Sequence, residues 1–258
     1  MAMFTDKIAI ITGASTGLGP VMARMMVAEG AKVVLAARRA ELVEAVAAEL
    51  GEAAVAIRAD VTQEADVAAM VEAAMSRWGQ VDILMNNAAV PGKDKYIWEQ
   101  TLENWNSTIA VDLTAAMLCT REVLNRSMLQ RRTGAILSFS SGAGWSGMER
   151  KSHYSAAKGG LRILTKVIAM EVGPYDIRCN CLVPGAIDTQ LHRDYWQRIA
   201  DEEGISYDEA HERGMTKVPL KRVSTPEDIA NMALFLVSDQ ARTITGQSIN
   251  VDAGWYMV

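Results

Sequence analysis

Tyr154 and Lys158 are the residues whose types and spacing point most directly to proton chemistry. They stand four residues apart in a segment with helical periodicity, so both side chains leave one helix face about one turn apart. A phenol alone is a weak base at neutral pH, and a neighbouring ammonium group favours the phenolate. The pair is therefore suited to exchange a proton with a bound molecule. Taken alone, the same spacing is also typical of an ordinary pair on a helix surface.

Two serines provide candidate hydroxyl groups upstream of this pair. Ser141 stands thirteen residues before Tyr154, directly after a predicted strand at residues 134–140, and Ser140 is its neighbour. Consecutive strand residues face opposite sides of a sheet, so only one of the two hydroxyls can face a given crevice. The strand pattern alone leaves the choice between them open.

A glycine-rich turn precedes the first long helix. Gly13, Gly17 and Gly19 follow a predicted strand at 7–12 and lead into a predicted helix at 20–30. In this arrangement backbone N–H groups and a helix N-terminus can receive a pyrophosphate. The glycines by themselves would also suit an ordinary strand-to-helix turn with positive φ.

The elements that must position these residues alternate strictly along the chain. Hydrophobic periodicity predicts strands at 7–12, 32–37, 53–59, 81–86, 134–140, 176–183 and 246–251, and helices at 20–30, 41–50, 63–78, 102–130, 152–172 and 225–238. This order predicts an α/β fold of Rossmann type in a single domain, 1–258, with a doubly wound, mostly parallel seven-stranded sheet and helices on both faces. The segment 187–220 is polar, aromatic and weakly helical, and we interpret it as an insertion that covers the ligand crevice.

Composition excludes several classes of partner. The net charge is −5 and the charges are well mixed, so no basic stripe for nucleic acid is expected. Cys119, Cys179 and Cys181 lack metal-ligand spacing, which favours free thiols in a reducing cytosol and no metal site. We expect a soluble, cytoplasmic protein with no membrane partner, because no apolar leader or membrane-length apolar run is found.

Several short motifs fall at the ends of predicted strands, where a doubly wound sheet places its ligand crevice. They are the turn Thr-Gly-x-x-x-Gly-x-Gly at 12–19, Asp60-Val61, Asn86-Asn87-Ala88, Ser141, Tyr154 with Lys158, Pro184-Gly185 and Thr189. In this order and over nearly the whole chain, the sequence resembles the classical short-chain dehydrogenase/reductase family.

The resemblance implies an NAD(P)-dependent oxidoreductase, such as a carbonyl reductase, that interconverts a secondary alcohol and a ketone. Tyr154 would exchange the proton of the substrate oxygen, Lys158 would also bond the nicotinamide ribose, and Ser141, at the family's position, would orient the carbonyl. Family members are commonly homotetramers. The cofactor-binding residues implied are Gly13, Ser15, Thr16, Gly17, Leu18, Gly19, Arg38, Arg39, Asp60, Val61, Asn87, Ala88, Tyr154, Lys158, Pro184, Gly185, Ile187 and Thr189.

The chain departs from the family pattern at two positions. Asp112 stands where relatives usually have the asparagine that is their fourth catalytic residue, whose main-chain carbonyl holds a water in a proton relay to the lysine. If the backbone is what matters, Asp112 can substitute, and its charge can support Lys158; if the amide is required, the relay is impaired. We favour the first. Ala89 replaces a common glycine, and we interpret its methyl group as filling space.

The residues after the second strand bear on cofactor choice. This chain has Ala37-Arg38-Arg39 where an acidic residue would bind a ribose 2′-hydroxyl. Arginines can instead grip a 2′-phosphate with charge-assisted hydrogen bonds, so NADP(H) is favoured over NAD(H). The alternative is that both arginines are simply solvated, and Thr16 stands where many NADP-using relatives carry a basic residue.

The residues expected around a small-molecule substrate are mostly large and apolar. They are Ser141, Gly142, Ala143, Gly144, Trp145, Met148, the turn at 91–98, Leu191, His192, Tyr195 and Trp196. An uncharged aromatic, alicyclic or medium-chain ketone or secondary alcohol would suit them. Arg150, Lys151 and His153 could instead recognise an acid or a polyol, and His192 could equally be an exposed helix histidine.

The apolar tail, 249–258, ends in Gly-Trp-Tyr-Met-Val and is expected to contact another chain. Two other functions stay open at this point. One is a protein of this fold that senses a nucleotide without turnover, for which Asp112 is the one support. The other is a lyase or epimerase that uses a nicotinamide transiently.

Overall fold

The computed structural model describes residues 2–257, apart from the side chain of Leu191. Two predictions fall outside this part of the chain: the place of the Leu191 side chain near the substrate, and the contact of Val258 at the end of the tail.

One sheet of seven strands forms the centre of the described chain. The strands are β1 (Ile8–Thr12), β2 (Lys32–Ala37), β3 (Ala54–Arg58), β4 (Ile83–Asn86), β5 (Gly134–Phe139), β6 (Ile177–Pro184) and β7 (Ser248–Val251). Their order is β3-β2-β1-β4-β5-β6-β7, and every neighbouring pair is parallel. The order reverses between β1 and β4, and in such sheets ligands bind beyond the carboxyl ends of the strands at that point.

Helices cover both faces of the sheet, which confirms the predicted fold. They are α1 (Leu18–Ala28), α2 (Ala40–Leu50), α3 (Glu64–Trp78), α4 (102–131), α5 (Ala143–Ser146), α6 (Ser152–Val172), α7 (Gln190–Glu203), α8 (Tyr207–Met215) and α9 (Pro226–Val237). The predicted bounds of strands and helices lie within two residues of these, whereas α5, α7 and α8 were not predicted. Within residues 2–257, none of the helices combines the length and the apolar character that crossing a bilayer requires.

The core has two halves, one on each face of the sheet. In β1 all five residues are buried, and neighbours serve opposite halves: Ile11 packs with α1, α2 and α9, and Ile10 packs with α3, α4 and α6. Strands buried on both faces need continuous apolar sequence, which is why β1 and β2 lack polar alternation. The two helix layers hold the strand ends, and therefore the motifs, in fixed register.

The segment 187–220 is more regular than predicted, because it forms α7 and α8. Thr189 and Ser206 cap these helices through their side-chain oxygens, which accept from backbone N–H groups. Trp196 fills the space between them, and a Cβ on Gly214 would lie 2.0 Å from its ring. The packed face is thus built from aromatic rings and a glycine, a pattern with little aliphatic periodicity. We refer to α7 and α8 together as the lid.

Candidate active site

The glycine turn forms a cradle between β1 and α1. Gly13 and Gly17 have φ of +64° and +63°, and a Cβ on Gly13 would lie 2.8 Å from the Cα of Ala88. A Cβ on Gly19 would lie 2.6 Å from the carbonyl oxygen of Gly13, whereas the space next to Gly17 is open. The turn therefore has no room for side chains at 13 and 19, and α1 begins directly after it. This fits a bound pyrophosphate.

Asn87 and Thr12 fix the cradle to the end of β4. The Asn87 side-chain amide donates to the carbonyl oxygens of Thr12 (3.0 Å) and Gly13 (3.1 Å). The Thr12 hydroxyl oxygen accepts from the backbone N–H groups of Asn87 and Ala88, at 3.0 and 3.1 Å. The Asn87 amide, a predicted cofactor ligand, thus also braces the turn that would hold the cofactor.

Arg39 reaches back over the cradle from the end of β2. Its guanidinium donates to Ser15 Oγ at 3.0 Å and to Thr16 Oγ1 at 2.9 Å, and the Arg38 and Arg39 side chains are exposed. Nearby, burial raises the pKa of Asp60, but hydrogen bonds from Thr62 and the charge of Arg38 outweigh it, so the pKa of Asp60 is lowered overall. Positive charge and hydroxyl donors therefore meet at the entrance of the cradle.

Ser140 and Ser141 have different surroundings in the structure. Ser140 is buried, and its hydroxyl donates to the backbone carbonyl of Lys158 at 2.9 Å, which joins β5 to α6. Ser141 is half-buried, and its Oγ accepts from the N–H of Ala143 at 3.3 Å, which leaves its own proton to donate. The environment of Ser140 is structural, and Ser141 is the more exposed of the two residues.

Lys158 is held close beneath Tyr154. Its Nζ lies 5.6 Å from the centroid of the Tyr154 ring and donates to the carbonyl oxygen of Phe139 at 3.0 Å. Lys158 is buried, 2% exposed, whereas Tyr154 is half-buried. Gly144 allows this packing, because a Cβ there would lie 2.7 Å from the backbone carbon of Lys158.

Asp112 is the buried partner of this lysine. It lies in a π-helical turn, Ala110–Thr114, and its Oδ1 accepts from the N–H of Val90 at 2.8 Å. Its Oδ2 lies 3.2 Å from Lys158 Nζ, an ion pair without the alignment of a hydrogen bond. Burial raises the pKa of Asp112, although the Lys158 ammonium acts in the opposite direction. Burial by itself would lower the pKa of Lys158, but the charge of Asp112 raises that pKa overall. The side chain of Asp112, and not its backbone alone, therefore contacts the predicted machinery.

The residues predicted to contact the substrate lie in two different environments, one near Asn250 and Arg162 and the other inside the lid. Ala143 is buried, and the Trp145 indole donates to Asn250 Oδ1 at 2.8 Å and packs on the Arg162 guanidinium. His192 and Trp196 lie inside the lid, in edge contact with His211. Burial lowers the pKa of His192, and the neighbouring His211 adds to this.

The side chains of Arg150, Lys151 and His153, which could have bound an acid or a polyol, contact other residues of this chain. His153 is buried; its Nε2 lies 3.3 Å from the Pro91 carbonyl oxygen and its Nδ1 lies 2.7 Å from Gln100 Nε2. A carbonyl only accepts, so Nε2 carries a proton, and Nδ1 accepts from the Gln100 amide. The ring is therefore neutral, which agrees with the lowering of the His153 pKa by burial. Lys151 pairs with Asp94 at 2.5 Å, and the Arg150 guanidinium stacks over the Tyr96 ring.

The sequence does not single out Asp94 within the turn 91–98, and it does not show what Tyr256 contacts within the chain. Asp94 pairs with Lys151 and also with Arg198 of the lid, at 3.0 Å. The tail is expected to contact another chain, and within the single chain the Tyr256 ring lies against Gly142, where a Cβ would come within 1.9 Å of it. The apolar tail signalled burial of this ring without showing which surface would bury it.

Comparison with known proteins agrees with this geometry. Residues 13–256 match the family model described as enoyl-(acyl carrier protein) reductase. The chain is 33% identical to 3-oxoacyl-(acyl-carrier-protein) reductase of Escherichia coli (strain K12), with 99% of each chain covered. It is 34% identical to L-rhamnose 1-dehydrogenase (NAD(P)(+)) of Azotobacter vinelandii, with 99% of this chain and 98% of the relative covered.

A solved structure extends the agreement to three dimensions. The crystal structure of levodione reductase superposes with a TM-score of 0.91 at 32% identity, covering 97% of this chain and 98% of that one. Sequence motifs, topology and overall shape lead to the same conclusion. The chain belongs to the classical short-chain dehydrogenase/reductase family, a family of oxidoreductases.

Proposed function

We propose that this protein interconverts a secondary alcohol and a ketone with a nicotinamide dinucleotide as cofactor. The observation that supports the proposal is that Lys158 Nζ lies 5.6 Å from the centroid of the Tyr154 ring. In addition, the Ser141 hydroxyl keeps its proton available, whereas the Ser140 hydroxyl is bonded to the backbone of Lys158. A protein that only senses a nucleotide would have no need of this hydroxyl, phenol and ammonium set.

In this proposal each of these residues has a defined role. When bound, the nicotinamide supplies or accepts a hydride at the substrate carbon, and the glycine turn, Asn87 and Lys158 would hold the dinucleotide. In oxidation, the Tyr154 phenolate takes the proton of the alcohol; in reduction, its hydroxyl returns a proton to the oxygen of the ketone. Ser141 donates a hydrogen bond to that oxygen, and the Lys158 ammonium stabilises the phenolate.

NADP(H) is the proposed cofactor, with NAD(H) as the alternative. The Arg39 guanidinium contacts the hydroxyls of Ser15 and Thr16 at the cradle, and Arg38 is the neighbour of Arg39 in the sequence. Such donors suit a ribose 2′-phosphate.

The proposed substrate is an uncharged aromatic, alicyclic or medium-chain ketone or its alcohol. In support, Arg150, Lys151 and the neutral His153 contact the protein itself. A sugar or polyol is the second candidate, because the rhamnose dehydrogenase named above is 34% identical.

The remaining expectations also stand as proposals. We infer a single domain over 1–258 in which the segment 187–220 covers the crevice. We also infer a cytoplasmic homotetramer whose partners are small molecules, with neither nucleic acid nor membrane among them.

One assay tests this proposal. NADPH and NADH absorbance is followed with the purified protein against a panel of ketones, alcohols and sugars. We expect turnover with NADPH and an uncharged ketone, and its loss in Tyr154→Phe. Full activity of Tyr154→Phe would disprove the mechanism, and substrate conversion without net absorbance change would indicate a lyase or epimerase.

A further inference from the structure

Two opposite charges lie buried together beneath Tyr154. We propose that Asp112 is a positioning residue whose carboxylate, acting through Lys158, keeps Tyr154 protonated to higher pH and so favours ketone reduction near neutrality. The part that concerns reaction direction rests on the proposed function, whereas the part that concerns ionisation of the phenol does not.

Both charges are held in place by the backbone. The Val90 N–H donates to Asp112 Oδ1 at 2.8 Å, and Lys158 Nζ donates to the Phe139 carbonyl oxygen at 3.0 Å. The Lys158 side chain is 3% exposed and the Asp112 side chain is fully buried. Hydrogen bonds of this kind favour the ionised forms, a carboxylate that accepts and an ammonium that donates. The pair is therefore a fixed dipole and not a mobile surface contact.

The other titratable groups that face the pair are uncharged at neutral pH. His153 faces Asp112 from α6 and carries its single proton on Nε2. Cys181 faces Lys158 from β6, and burial raises the pKa of its thiol to about 11. Tyr154, also on α6, is the group on which the pair acts. Arg162 of the same helix faces Cys181 and packs on Trp145.

The field at the phenol therefore depends on both members of the pair. A lone ammonium at this distance would favour the phenolate strongly, because few polar groups screen it in the interior. The Asp112 carboxylate, whose Oδ2 lies 3.2 Å from Lys158 Nζ, offsets part of that attraction. The phenol then keeps its proton to higher pH, and the protonated phenol is the form that donates to a ketone oxygen.

Asp112→Asn removes the charge while keeping an oxygen that can accept from Val90. The direct readout is the rise of phenolate absorbance with pH, taken as the difference between each protein and its Tyr154→Phe partner, without cofactor. We expect the midpoint of Tyr154 ionisation to fall by about one pH unit in Asp112→Asn. We expect the pH profile of alcohol oxidation to move by the same amount in the same direction. An unchanged or higher midpoint would overturn the proposal.

Two variants separate charge from structure. Asp112→Glu keeps the carboxylate, and its midpoint should stay near that of the parent. Asp82→Asn is the matched control, because Asp82 is also a buried carboxylate paired with a cation, Arg131, at 2.7 Å. Asp82 also accepts from the N–H of Ile8, and it lies at the opposite, amino end of the sheet. The Asp82→Asn variant should be less stable than the parent, but its midpoint of Tyr154 ionisation should be unchanged. A midpoint that moves equally in Asp82→Asn would show a structural effect and refute the proposal.

The remaining outcomes are also decisive. If Asp112→Asn does not fold, Asp112→Ser, which is smaller and neutral, is measured in the same way and the same fall is expected. If the parent protein turns over no substrate of the panel while the midpoint still falls, the proposed function fails and the electrostatic role of Asp112 is supported. If turnover is found and the midpoint does not fall, the role of Asp112 is refuted and the proposed function stands.

Discussion

At the residue scale, adjacent side chains of the same type have separate tasks. Ser140 bonds the backbone of α6, whereas Ser141 accepts from the N–H of Ala143 and keeps its own proton available. Alternation along β5 predicts that the two differ, but only the partner of each hydroxyl shows which is structural.

The two serines make a matched pair of variants. In Ser141→Ala we expect kcat to fall by about 100-fold or more, because a hydrogen bond to the reacting oxygen is lost, with little change in Tm. In Ser140→Ala we expect a loss of about 1–2 kcal/mol in the free energy of unfolding, because the buried Lys158 carbonyl loses its donor. Denaturant unfolding and steady-state kinetics check both. A catalytic defect confined to Ser140→Ala would reverse the assignment.

Arg39 is the residue on which cofactor preference should depend. Arg39→Ala removes the guanidinium that lies over Ser15 and Thr16, so kcat/KM for NADPH should fall by about tenfold or more relative to NADH. Arg24→Ala is the control, since Arg24 is a surface residue of α1 that pairs with Glu49. Equal losses with both cofactors would contradict a phosphate-binding role.

At the element scale, the average helical period predicts α4 but not its irregularity. The π turn at Ala110–Thr114 adds a residue to one turn and coincides with the burial of Asp112. A sequence window of several turns averages over such a local change. The segment 187–220 is expected as an insertion, but its two helices are not predicted, since their packing relies on aromatic rings and histidines, which carry a weak apolar signal.

The lid should loosen in mild acid. Because burial and His211 lower the pKa of His192, the opened lid binds more protons than the closed one below the ordinary histidine pKa of about 6.5. Stability of α7 and α8 is thus fully present above that pH and is lost as pH falls. Hydrogen exchange, corrected for the intrinsic pH effect, should show faster exchange in the lid at low pH.

A neutral replacement provides the control for this effect. His192→Asn cannot take up a proton in this range, so the acid-induced part of lid exchange should shrink in this variant. If the lid of His192→Asn opened with the same pH dependence as the parent, another group would be responsible.

At the scale of the whole molecule, the sequence predicts topology better than it predicts partners. Motifs at the carboxyl ends of parallel strands must share one edge of the sheet, so the crevice follows from strand order alone. By contrast, Trp145 bonds Asn250 across 105 residues, and Arg198 bonds Asp94 across 104. No local pattern encodes such pairs, because they depend on how loops pack after the sheet has formed.

An apolar surface on α6 stays uncovered in the described chain. Ile163, Val167 and Met170 follow one another at helical spacing on α6 and are exposed, Met170 by 71%, with Met117 of α4 also exposed. We call these four residues the α6 stripe. A stripe on one helix can pair with itself across a two-fold axis, which is how most homo-oligomers form.

The α6 stripe and the tail are therefore competing interfaces for the proposed tetramer. Met170→Glu places a charge in the stripe, so we expect light scattering to report a smaller mass than that of the parent at equal concentration, because burying an unpaired carboxylate opposes association. Met257→Glu changes the exposed end of the tail and should leave the mass unchanged. Leu220→Glu, at an exposed leucine elsewhere, controls for the added charge. Dissociation by Met257→Glu alone would assign the interface to the tail, and a monomeric parent would refute the tetramer.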